Sequence, residues 1–134
     1  MSEIRSEKLS VAQLAMELIH AIEVLEECKA KVLEARFTNV DSDEGEEVAE
    51  IPVANLRSFL AETLKPKGHT LGHDELSLEI KPEASEGVFF RFCRDGHIHL
   101  TTTDEVLLEK TLEFWRKGGF KLYKRVDQEW VSRL

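Results

Sequence analysis

Between positions 9 and 37 the apolar residues recur at a spacing of three, then four. Val11, Leu14, Leu18, Ala21, Leu25, Cys28, Val32 and Ala35 hold that rhythm over nearly four heptads. Ala15, Ile19 and Ile22 widen the stripe, while Glu17, Glu23, Glu26, Glu27, Lys31 and Glu34 occupy other faces. No Gly or Pro interrupts the run. The period predicts an amphipathic helix over 9–37. Ser10 is its expected N-cap, without a glutamate three residues on. Such a helix is about 40 Å long at 1.5 Å per residue. A domain of this size has a radius of gyration of about 14 Å. The helix must therefore project or lie against a second copy, and a period of 3.5 marks a coiled-coil seam. Val11, Leu14, Leu18, Ala21, Leu25, Cys28 and Val32 are the expected interface of a homodimer. Residues 32–40 are also rich in β-formers, which leaves open a helix end near Ala30 with a strand beyond it.

Residues 39–50 read as an acidic loop with Gly45 as punctuation. A short helix is expected over 53–64, started by Pro52 and ended before Pro66 and Gly68. Residues 68–74 form a second loop. Period-two alternation then predicts strands over 76–80, 88–94 and 97–101, with Asp95-Gly96 as a two-residue hairpin turn. That turn sets Phe92 opposite His99 and puts Phe90, Phe92, Arg94, His97 and His99 on one face of the sheet. Thr101 to Thr103 and Asp104 supply the N-cap of a third helix over 104–117, which Gly118-Gly119 stops. A last strand follows over 120–126, and a tail docks through Trp130. The expected fold is α+β. It has a long N-terminal amphipathic helix, a short second helix, a three-stranded antiparallel meander, a helix and a C-terminal strand, all in one domain over 1–134.

Charge refines this picture. Residues 1–62 carry 14 acidic and 6 basic side chains, whereas residues 63–134 carry 12 of each. The whole excess, −8 overall, therefore lies in the first half. An acidic chain repels a phosphate backbone, so general nucleic-acid binding is disfavoured. Arg116, Lys117, Lys121, Lys124 and Arg125 form a local basic cluster. No apolar run approaches the roughly 20 residues that span a bilayer. Residues 1–9 lack the apolar core of a signal peptide. A cytoplasmic location is the expectation, with no membrane partner. Cys28 and Cys93 make neither a disulfide framework nor a zinc knuckle and read as small buried apolar residues.

The candidate chemistry is histidine. His97 and His99 lie two apart on a strand, and His69 and His73 lie four apart in a loop. Together they are a candidate zinc set. The string His99-Leu100-Thr101 fits one His-x-Thr element of the two-histidine phosphoesterases, but the second element is missing. Residues 41–45 begin like a calcium loop, yet the glycine falls one position early and Pro52 stands where a bidentate glutamate belongs. No phosphate-binding glycine loop or nucleophile elbow is present. The functional expectation is a non-enzymatic, dimeric binding, adaptor or regulatory protein acting on another macromolecule, with no cofactor. The alternative is a small metal-dependent enzyme, or metal-binding protein, built on the four histidines.

Overall fold

In residues 32–38 alternation prevails over the heptad. Leu33, Ala35 and Phe37 are buried while Val32 and Arg36 are exposed, the two-residue period of a strand. The computed structural model describes residues 2–28, 30–38, 46–63, 71, 73–81, 87–126 and 129–132. Its elements in chain order are β1 (Ser2–Ser6), α1 (Val11–Glu26), β2 (Val32–Thr38), β3 (Glu46–Pro52), a 3-10 turn (Val53–Asn55) and α2 (Leu56–Thr63). Then follow β4 (Glu75–Ile80), β5 (Val88–Phe92), β6 (Ile98–Thr102), α3 (Glu105–Lys117), β7 (Leu122–Val126) and β8 (Glu129–Ser132).

The long helix and the three-stranded meander are both overturned. α1 has 16 residues, about 24 Å at 1.5 Å per residue, and needs no second copy to accommodate its length. It opens on a capping box that glutamine completes. The Ser10 backbone N–H donates to Gln13 Oε1 at 2.9 Å, and the Gln13 N–H donates to Ser10 Oγ at 3.2 Å. It closes with no basic residue in its last turn, and Glu26 and Glu27 oppose the helix dipole there. The supposed seam is spent inside the chain. Leu14, Leu18, Ala21 and Leu25 are buried in the common core. Cys28 is half-buried beyond the helix, its thiol on the Val24 carbonyl at 3.6 Å. Val11 is exposed, and Val32 lies on β2 rather than on a helix.

The strands form one eight-stranded sheet in the order β3-β2-β4-β5-β6-β1-β7-β8, antiparallel at every junction. The three expected strands are β4, β5 and β6 at its centre. Part of the acidic loop is also corrected, because Glu46–Pro52 pairs along the whole of β2. As an edge strand, β3 can carry a row of glutamates, and such charges guard an edge against foreign pairing. Residues 39–45 lie outside the described residues.

Among the described residues, the helices cover one face of the sheet. Ile4, Leu33, Phe37, Leu78, Phe90 and Leu100 point to that face and join Leu18, Leu25, Leu56, Leu60, Leu112 and Trp115 from the helices in a single cluster. The opposite face carries Arg36, Glu34, Glu79, Phe89, Arg91, His99 and Arg5, none of them buried. Among the described residues no helix is long and apolar enough to cross a membrane.

Candidate functional site

The open face is organised by the β5–β6 hairpin, whose turn differs from the expected one by one residue. The Gly96 N–H donates to the Cys93 carbonyl at 3.0 Å and the Cys93 N–H to the His97 carbonyl at 2.8 Å. This is a three-residue loop in which Gly96 takes φ of 96°, a conformation that glycine supplies without strain. A side chain there would also press on Lys8 and the Leu9 carbonyl. The extra residue moves Phe90 and Phe92 to the covered face and pairs Arg91, not Phe92, with His99. The expected company of Phe90 and Phe92 with His99 on one face is therefore corrected.

That register aligns one row across five strands. Ser77 pairs with Arg91, Arg91 with His99, His99 with Arg5, and Arg5 with Tyr123. Trp130 stands one row away, opposite Arg125. Between the row and the hairpin lies a groove of about 450 Å³, lined by Arg5, Glu75, Arg91, Cys93, Arg94, Asp95, His97, His99 and Trp130.

Arg5 is the most constrained of these side chains. Its guanidinium carbon lies 4.5 Å from the Tyr123 ring centre and 5.0 Å from that of Trp130, within cation–π range of both. Trp130 is itself flanked by Arg125 at 4.7 Å and meets His99 edge-on at 5.7 Å. Arg125 is the one member of the basic cluster that reaches this wall, and it also pairs with Glu3 at 3.1 Å.

The neighbouring strand end fixes His97. Ser6 is wholly buried, and its hydroxyl oxygen accepts from the Ile98 N–H at 3.0 Å. The Ser6 carbonyl lies 3.0 Å from His97 Nδ1. Nδ1 must carry a proton to donate there, so in the neutral ring Nε2 is the acceptor. Arg5 Nη1 approaches the same Nδ1 at 3.4 Å. With a proton on each nitrogen, that contact is an adjacency and not a hydrogen bond.

The electrostatic tone of the groove is positive. Burial, then Arg91, His97 and Arg5 in turn, push the pKa of His99 down to about 4, with Asp95 opposing. His99 is thus a neutral imidazole at neutral pH. Burial holds the Cys93 thiol above its ordinary pKa, against the pull of Arg91, whose Nε donates to Sγ at 3.1 Å. The acids are loosely engaged: Glu75 stands 3.7 Å from Arg91, and Asp95 stands 3.9 Å from the His97 ring while accepting from the His97 backbone N–H at 3.4 Å.

His97 and His99 do lie together, with ring centres 6.5 Å apart. His73 is exposed just before β4, and His69 lies outside the described residues. Among the described residues no three His, Cys, Asp or Glu side chains are grouped to hold a metal ion. Three guanidiniums around the two histidines oppose a divalent cation. The hairpin pattern places Arg94 beside the histidines, but nothing in the sequence pointed to Arg5, Arg91 or Tyr123. Strand β1 offers a single buried apolar residue, Ile4, between Glu3 and Arg5, which is too little alternation to reveal it.

Comparison with known proteins gave no match to a family model, to a curated protein or to a solved structure.

Proposed function

We propose that this chain is a non-enzymatic binding protein that engages another protein through the open face of its sheet. One observation carries the reading. The row of Arg91, His99, Arg5 and Tyr123, with Trp130 beside it, is ordered by stacking and pairing although none of the described helices covers it. Aromatic and arginine side chains concentrate binding energy, because they combine large contact area with few freedoms to lose. The chemistry of the groove points the same way. The Cys93 thiol is held protonated, the opposite of an activated nucleophile.

The test is quantitative capture of partners from the native host, comparing wild type with the Arg91→Glu, Trp130→Ala double variant. Circular dichroism establishes that both are folded. The reading expects at least one protein retained by the wild type and lost with the variant. An identical retained set from both would overturn it.

A further inference from the structure

Arg5 has five N–H donors in a planar fork. Among the described residues its hydrogen bonding is confined to Nη1, which reaches the Ser6 carbonyl at 3.3 Å. No carboxylate among the described residues lies within ion-pair distance of it, whereas Arg36, Arg57, Arg91 and Arg125 each have one. The fork is nevertheless held still by the rings of Tyr123 and Trp130. A fixed, charged, under-used guanidinium at the wall of a groove has little entropy left to lose when an anion arrives.

Resting on the reading above, we infer that this groove receives a single oxyanion group, a carboxylate or a phosphate ester, borne on a peptide segment of the partner, and that Arg5 is its clamp. Arg91 and Arg94 line the same groove and add to the attraction. A guanidinium fork matches the two oxygens of either group. The volume of about 450 Å³ falls within the range of sites that hold small molecules or side chains. Trp130 offers an apolar surface for what the anion is attached to.

The acids in the groove limit the occupant to one anionic group. Glu75 and Asp95 line it with the arginines, and the chain carries −8 overall. A ladder of phosphates would meet both carboxylates and the field of the whole molecule. One anion need only displace the loose Glu75–Arg91 and Asp95–His97 contacts, at 3.7 and 3.9 Å.

The experiment is an NMR titration of the Trp130 indole N–H, with the buried Trp115 as internal reference. The titrants are a capped Gly-Glu-Gly peptide, a capped Gly-phosphoserine-Gly peptide and a ten-nucleotide single strand. Saturable movement of Trp130 with either peptide is expected, and the tighter of the two identifies the source of the oxyanion. Arg5→Lys keeps the charge but loses the fork, and should weaken binding roughly tenfold. Arg57→Lys, at the ion pair with Glu26 between α2 and α1, should change it by less than about twofold. Should Arg5→Lys fail to fold, Arg94→Gln at the hairpin tip replaces it, with an expected loss of about threefold.

No saturable response to either peptide, equal effects of the Arg5 and Arg57 variants, or tighter binding of the oligonucleotide would each overturn the clamp. Partner capture that still depends on Arg91 and Trp130 while both peptides fail would leave the protein-binding reading standing without it.

Discussion

Phe89 and Phe90 are adjacent in the chain and chemically identical, yet they sit in different worlds. Phe90 is 1% exposed and packed beneath the helices. Phe89 is only half-buried and shares its face with glutamates and arginines. The same contrast runs through every central strand, as in Leu100 beside His99 and Ile4 beside Arg5. Side chains of the covered face are chosen by volume and hydrocarbon. Those of the open face are chosen by charge, stacking and hydrogen-bonding capacity. A sheet with one face against the core does not require arginines threaded between aromatic rings on the other. That excess of order is where the functional reading begins.

The sharpest way to break the contrast is truncation on each side. Phe90→Ala should cost about 3–5 kcal/mol of unfolding free energy, because it removes a large buried ring and leaves a cavity. Phe89→Ala should cost about 1 kcal/mol. Paired urea denaturation measures both, and equal losses would mean that the open face is covered in solution.

The next effect is a response to acid. A histidine that titrates near 6.5 unfolded and about 4 folded takes up its proton preferentially in the unfolded chain. Stability contributed by neutral His99 is thus complete above about pH 6.5 and is lost as the pH falls towards 4. The loss should reach about 2 kcal/mol after allowance for partial exposure. His99→Gln should flatten that part of the stability–pH curve. A curve unchanged by the substitution would show that burial, and the arginines after it, depress His99 less than the structure implies.

Smaller still is the loss at the boundary between the two faces. Ser6→Ala removes the acceptor of the buried Ile98 N–H and should cost about 1–2 kcal/mol. It should also sharpen hydrogen exchange at that amide, and protection unaltered from wild type would mean that another group takes over.

How much of this was legible in the sequence depended on how local the signal was. The short helix after Pro52, the capped helix after Asp104 and the central strands β4 to β6 announce themselves within a dozen residues. The shared face of His97 and His99 was equally readable, since it needs only the two-residue period. The long helix was misread because Val32 and Ala35 satisfy a heptad and also sit in a strand. Local pattern does not choose between the two; the burial of Leu33, Ala35 and Phe37 against the helices does. β3 read as a loop because Glu46, Glu47 and Glu50 suit solvent, and only its place at the sheet edge reconciles them with a strand. The hairpin register turned on whether Gly96 serves as half of a two-residue turn or as the extra residue of a longer one. The site was least legible. Arg5 and Trp130 belong to opposite ends of the described chain and meet only through the strand order.

That strand order ties recognition to the completion of folding. β1 lies between β6 and β7, so the hairpin of β7 and β8 has no place in the sheet until β1 has docked. The closing bond from Ile98 to Ser6 spans 92 positions, a loop closure among the slower steps available to a small domain. Arg5 arrives with that strand, and the Trp130 wall comes to rest against it. On the proposed reading, a partly folded chain presents no clamp, and a partner that grips the groove selects molecules whose sheet has already closed.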